Sequence, residues 1–122
     1  MAVKKAFLGL TILLLLGNGV AVADNHDSKI KSSLPGLTLL AEQGHADAQY
    51  QLARLYGNGM GVPKNAKTSA EWYTKAAKQG HTRAQYSLGI QYDNGRGVQE
   101  SDETAVKWYT LAAEQGDASA QS

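Results

Sequence analysis

The chain has 122 residues, of which 43% are hydrophobic and 19% charged, and its formal net charge at pH 7 is +1. This near-neutral balance lacks the basic excess expected for a nucleic-acid or anionic-membrane partner. The sequence contains no cysteine, which excludes disulfides and thiolate metal sites. We therefore expect stability to come from packing alone, and no cofactor is predicted.

Residues 1–23 have the three parts of a secretory signal peptide. Lys4 and Lys5 form a positive start, residues 6–16 are apolar, and residues 21–23 (Ala-Val-Ala) are typical of a cleavage site. The apolar run of about 11 residues is shorter than the roughly 20 needed to span a bilayer. We expect export and cleavage after residue 23, which leaves no membrane span. The compartment is then the periplasm or the exterior, or the endoplasmic reticulum if the source is eukaryotic.

Residues 24–33 are polar and without helical periodicity, which predicts a flexible leader. If cleavage follows Ala23, the mature protein begins Asp24-Asn25-His26. This terminus resembles the amino-terminal copper and nickel motif, in which the amine, two backbone amides and the imidazole form a square of nitrogens suited to Cu(II) or Ni(II). His26 is therefore a candidate metal ligand, and chance placement in a leader is the alternative.

A block of 36 residues occurs twice in tandem, at 45–80 and 81–116, with 18 identical positions. Residues 34–44 match the second half of this block, and residues 117–122 match its opening. Self-similarity at this period predicts stacked repeats that bury their apolar faces against each other. The expected repeat domain therefore covers residues 34–122, with a half-repeat in front and a truncated third repeat at the end.

Apolar residues at three- and four-residue spacing predict two helices in each repeat. The first helix is expected at about 46–56 and 82–92, and each is followed by a glycine-rich turn. The second helix is expected at about 66–79 and 102–115, and Gly80 and Gly116 are placed as left-handed C-caps.

Three runs carry a family resemblance: Ala-Gln-Tyr-x-Leu, Gly-x-Gly-Val and Trp-Tyr-x-x-Ala-Ala-x-Gln-Gly, each present in both copies. They are similar to Sel-one-like repeats, which are related to the tetratricopeptide repeats. The resemblance implies an all-α solenoid of α/α repeats with a right-handed superhelix. It also implies a scaffold or adaptor that binds other proteins rather than an enzyme.

The first helices of such repeats line the concave side of the solenoid. By resemblance to the tetratricopeptide pattern, the concave residues that would contact a protein or peptide are Asp47, Tyr50, Arg54, Arg83, Tyr86, Ile90 and Asp93. Arginine and tyrosine are enriched at interface hot spots. Ordinary solvated side chains are the alternative interpretation.

The last helix has no complete repeat after it to cover its apolar face. An open-end interface is therefore predicted at Trp108, Tyr109, Ala112 and Ala113. Capping repeats normally cover such a face, so we expect self-association through it, docking onto a partner, or marginal stability. A frameshifted or fragmentary product would look the same.

Other functions are alternatives. A cell-envelope enzyme or accessory acting on peptidoglycan or a β-lactam is one, but no nucleophile–base pair or acid pair stands outside the repeat consensus. Some cysteine-rich relatives are associated with β-lactam binding, and this chain lacks their cysteines. His45 and His81 recur at one repeat position and are interpreted as helix caps or surface residues rather than metal ligands. Trp72, Trp108 and the repeated tyrosines are interpreted as packing residues.

Overall fold

Five helices make up the part of the chain that the structure, a computed structural model, describes, namely residues 33–121 with side chains to residue 116. They are α1 (Leu34–Glu42), α2 (Ala46–Asn58), α3 (Ala66–Lys78), α4 (Thr82–Asn94) and α5 (Asp102–Gln121). Each helix packs against the next one along the chain, and no strand occurs among these residues. The predicted all-α repeat fold is confirmed. The predicted signal peptide and leader, except Ser33, lie outside the described residues, as does His26.

Four of the five helices begin at a side chain that bonds a free backbone N–H of the first turn. Ser33, Asn65 and Ser101 each accept a hydrogen bond from the N–H three residues later, at 3.0–3.2 Å. His81 does the same through Nδ1, at 3.1 Å. The predicted capping role is therefore confirmed for His81, whereas His45 begins α2 without a side-chain cap bond.

Glycines with left-handed backbone angles end the helices. Gly59 (φ 68°) and Gly95 (φ 66°) are the C-caps of α2 and α4, and both helices end two residues beyond the predicted ends. Gly44 (φ 98°) and Gly80 (φ 91°) follow α1 and α3. The prediction for Gly80 is confirmed, because only glycine adopts these angles without steric cost.

The predicted helix end at Gly116 is wrong. Helix α5 passes through Gly116 without interruption, and Gly116 is absent from the described glycines with positive φ. At Gly80 the following helix holds the turn, since Gln85 Nε2 donates to the Ala77 carbonyl at 3.1 Å. Without such a restraint among the described side chains, α5 keeps its helical backbone through Gly116.

Small apolar residues form the core between successive helices. One cluster joins α1 to α2 and the other joins α3 to α4, and their buried members are Leu37, Ala41, Ala48, Leu52, Ala76, Ala77, Ala84 and Leu88. Alanines let the helices approach closely, and the leucines fill the space between them. Trp72 and Trp108 are partly buried against the two clusters, which confirms their packing role. Within residues 33–121, no helix combines the length and apolar character needed to cross a bilayer.

Candidate functional site

The predicted concave residues lie on α2 and α4, and two hollows bring most of them together. A tyrosine cleft of about 710 Å³ is lined by Tyr50, Thr82, Arg83, Tyr86, Ser87, Tyr109, Ala112 and Ala113. An arginine pocket of about 190 Å³ is lined by Arg54, Gly57, Asn58, Ser69, Tyr73, Ser87, Ile90, Gln91 and Arg96. The two hollows share Ser87, so they form one continuous surface. Asp47 and Asp93 line neither hollow.

The tyrosine cleft combines residues of two surfaces that were predicted separately from the sequence, the concave face and the open end. Tyr50, Arg83 and Tyr86 come from the predicted concave face, whereas Tyr109 and its two neighbouring alanines come from the predicted open end. These residues meet because α5 packs antiparallel beside α4 and carries its tyrosine across to that helix. The result is a single hollow whose lining includes three tyrosines and two alanines.

Matching tyrosine pairs occur in the two repeats, but their surroundings differ. The rings of Tyr50 and Tyr73 are 5.8 Å apart, and those of Tyr86 and Tyr109 are 5.5 Å apart. In the first repeat, His81 stacks on Tyr50 at 4.7 Å and leaves that ring half-buried. Tyr86 remains 57% exposed. The second tyrosine pair therefore offers an aromatic surface to a partner.

Gly89 lets the Tyr109 ring lie against α4. A Cβ at position 89 would stand 2.6 Å from Tyr109 Cε1, closer than side-chain atoms pack. Ala53 holds the equivalent position in the first repeat and is fully buried. The position of Tyr109 in the cleft therefore depends on the missing side chain at residue 89.

Several of the predicted charged residues are already engaged within the chain. Asp47 Oδ1 lies 3.2 Å from His81 Nε2, and the guanidinium of Arg54 lies 5.9 Å from the centre of the Tyr50 ring. Asp93 accepts a hydrogen bond of 3.5 Å from the Tyr109 hydroxyl. Burial, and then the Asp93 charge, raise the pKa of Tyr109. These three charged groups therefore help to position the tyrosines.

The open end differs in detail from the predicted set. Trp108 packs against the cluster that joins α3 to α4. Ala112 is only 7% exposed, so its predicted exposure is wrong; it lies one helical turn after Trp108 and therefore on the same side of α5. Ala113 is exposed. Val106 is 59% exposed and was missed. Its counterpart Ala70 is 2% exposed, and the change from alanine to valine between the two copies was the signal in the sequence.

The arginine pocket contains two residues that sequence reasoning missed, Gln91 and Arg96. The sequence did carry a signal for these two positions. The first repeat has Leu55 and Met60 there, and positions that differ between the copies are free to bind a partner. Tyr73 lines the same pocket. Burial raises the pKa of Tyr73, which keeps its hydroxyl protonated and able to donate.

No three histidine or acidic side chains cluster as metal ligands within the described part of the chain. The predicted ligand His26 is not among the residues tested.

A Sel1 repeat family model matches residues 46–81 and 82–117. The chain belongs to the Sel1 repeat family. The matched units have the 36-residue period found in the sequence and begin one residue later than the blocks defined above. Sel1 repeat proteins generally mediate protein–protein interactions and are generally scaffolds without enzymatic activity.

Solved Sel1 repeat proteins resemble this chain closely. The Sel1 repeat protein from Oxalobacter formigenes is 41% identical with a TM-score of 0.66, over 67% of this chain and 62% of that one. The protective antigen c5321, present in uropathogenic Escherichia coli strains, is 41% identical with a TM-score of 0.68, over 71% and 19%. Helicobacter pylori cysteine rich protein B is 26% identical with a TM-score of 0.66, over 68% and 62%.

The match therefore spans less than two thirds of the length of each of these proteins. Among curated proteins, no significant match to the chain was found.

Proposed function

We propose that this Sel1 repeat protein is an exported scaffold that binds a polypeptide partner over the tyrosine cleft. The observation that carries this proposal is the cleft itself, whose lining combines the exposed Tyr86 and the half-buried Tyr109 with two alanines. Tyrosine supplies large contact area with little side-chain entropy to lose. A hollow of about 710 Å³ accommodates several side chains of a partner.

The relation between the repeats supports a polypeptide as the occupant. In the first repeat, Ala76 and Ala77 of α3 are covered by Ala84 and Leu88 of α4. In the second repeat the counterpart of Ala77, Ala113, is exposed. A partner segment with small and apolar side chains would cover the second repeat as α4 covers the first. A second copy of this chain is one such partner.

Export is the other half of the proposal, and it rests on residues 1–23. It places the partner in the periplasm or outside the cell. Mass spectrometry of the protein isolated from its source would give a mature chain beginning at Asp24. An intact amino terminus would contradict export with cleavage.

Site-specific photocrosslinking tests the cleft. A benzoylphenylalanine at position 86 should give a discrete protein adduct in living cells, identified by mass spectrometry. The same probe at Lys107, which is exposed on α5 and lines neither hollow, is the matched control. The proposal fails if position 86 gives no adduct, or if both positions give the same set of adducts. An adduct of doubled mass would identify self-association.

A further inference from the structure

The arginine pocket has a sister one repeat earlier. The sister pocket, of about 210 Å³, is lined by Leu37, Gln51, Arg54, Leu55, Asn58 and Met60. Five of these six residues have their counterparts, 36 positions later, in the arginine pocket. The two pockets therefore occupy corresponding places in the repeat and are similar in volume, and the side chains at the corresponding positions differ in chemistry.

Three apolar residues of the sister pocket are replaced by polar ones. Leu37, Leu55 and Met60 become Tyr73, Gln91 and Arg96. At one position a charged residue of the sister pocket is replaced by an apolar one, since the counterpart of Arg54 is Ile90. Arg54 itself, however, lines both pockets. The arginine pocket thus holds two guanidinium groups, a phenol and a buried amide, whereas its sister has a single guanidinium and three apolar side chains.

Gln91 is a polar side chain in need of a partner. It is only 6% exposed, and its Oε1 is buried without a hydrogen bond among the described residues. A buried acceptor without a donor is destabilising, and such groups are rare in folded proteins. Leu55 shows that the fold accepts a hydrocarbon here. Because Oε1 itself is covered in this conformation, a ligand N–H in the pocket would satisfy Gln91 once the amide rotates toward it.

The charge of the pocket is uncompensated. Its lining contains Arg54 and Arg96 but no acidic residue, and neither guanidinium lies within 4.0 Å of a carboxylate in the described part of the chain. The charges of both arginines lower the pKa of Tyr73, although burial raises it by more. Both guanidinium groups therefore act on the same hydroxyl. Paired arginines match a carboxylate in charge and in hydrogen-bond geometry.

We propose that the arginine pocket binds an aspartate or glutamate side chain of the polypeptide partner, with a neighbouring backbone N–H donating to Gln91 Oε1. A peptide suits the pocket better than a simple anion because it supplies the carboxylate and the N–H together. This proposal rests on the proposed function, since it assigns the partner's chemistry at the same continuous surface.

The spacing of the two hollows gives the partner's sequence pattern. Tyr86 in the tyrosine cleft and Ile90 in the arginine pocket are four residues apart on α4, which is about 6 Å along the helix. Two residues of extended chain cover about 6.6 Å, and their side chains point to the same side. The partner should therefore carry an apolar and an acidic residue two positions apart.

The test is a nuclear magnetic resonance titration of the purified protein with two capped pentapeptides. Both have phenylalanine at the second position; the fourth is glutamate in one and glutamine in the other. At low salt we expect the glutamate peptide to bind about tenfold more tightly and to shift the side-chain amide of Gln91. Free glutamate, used as a third probe, should bind more weakly than the capped glutamate peptide.

Two variants assign the effect to the pocket. Arg96→Gln should reduce the preference for glutamate to about twofold or less, and Lys107→Gln, which removes the same charge outside both hollows, should leave it intact. The proposal is overturned if neither peptide binds, if both peptides bind equally, or if the two variants lose the preference for glutamate to the same extent. It is also overturned if free glutamate binds more tightly than the capped glutamate peptide. If both peptides bind equally and shift Tyr86 and Tyr109, only the acidic assignment fails. The crosslinking experiment tests separately whether a partner binds over the tyrosine cleft.

Discussion

Gln79 Nε2 donates to Gln49 Oε1 at 2.9 Å, which joins the end of one repeat to the start of the same repeat. One repeat later, Gln115 Nε2 donates to Gln85 Oε1 at 2.7 Å. Gln49 and Gln85 are both buried. Each also donates to a carbonyl at the end of the preceding helix, at 3.0 and 3.1 Å. The glutamines of the repeat signature therefore satisfy buried backbone groups and fix the stacking of the helices.

Replacing Gln85 by methionine should lower the free energy of unfolding by about 1–3 kcal/mol, because the Ala77 carbonyl loses one of its two donors and Gln115 Nε2 loses its acceptor. Urea unfolding followed by circular dichroism measures this. The control is Gln51→Met, which removes an exposed glutamine bonded only to Asp47 and should cost less than about 0.5 kcal/mol. Equal losses in the two variants would contradict a structural role for the buried glutamine.

Gly61 and Gly97 form a matched pair for testing the packing between repeats. Both have left-handed angles, φ 80° and 77°, but a Cβ at residue 61 meets nothing within 4 Å, whereas one at residue 97 meets the backbone of Ala66. Gly61→Ala should cost about 1–2 kcal/mol from backbone strain alone. Gly97→Ala should cost clearly more, because the loop must move off α3. Thermal unfolding of both variants gives the comparison, and similar melting temperatures would count against this contact.

Replacing Gln91 by leucine, the residue of the first repeat, should raise the free energy of unfolding by about 1 kcal/mol, since a buried acceptor without a donor is removed. The same variant should bind the capped glutamate peptide more weakly than the parent protein does. Gln99→Leu, an exposed change on the following loop, is the control for added hydrophobicity. A loss of stability in Gln91→Leu would show that the amide has a structural role instead.

Tyr73 should make stability fall at alkaline pH. Burial raises its pKa above the ordinary value of 10.0, so the unfolded chain releases this proton at lower pH than the folded chain does. The contribution is complete below pH 10 and is lost as pH rises through the folded pKa. Chemical unfolding measured across this range should show a shallower decline for Tyr73→Phe than for the parent. Parallel declines would exclude this origin.

The sequence by itself determined the repeat, the helices and the family. Two copies with 18 identities in 36 positions constrain the core strongly, because leucines and alanines that pack between helices must recur at every repeat. Glycines at helix ends were equally readable, since the left-handed angle is a local requirement. These features depend on nearby residues or on the period, and both are visible in the printed chain.

The tertiary structure decided what the surface can do. Whether α5 ends at Gly116 depends on a following helix, and Tyr109 reaches the cleft only because Gly89 on another helix leaves room for its ring. The arginine pocket unites Arg54 on α2, Tyr73 on α3 and Gln91 on α4. Such a site is defined by distances between elements that no periodicity encodes. The residues of the arginine pocket differ between the two repeats, which is visible in the sequence, but only the packing of the helices brings them together.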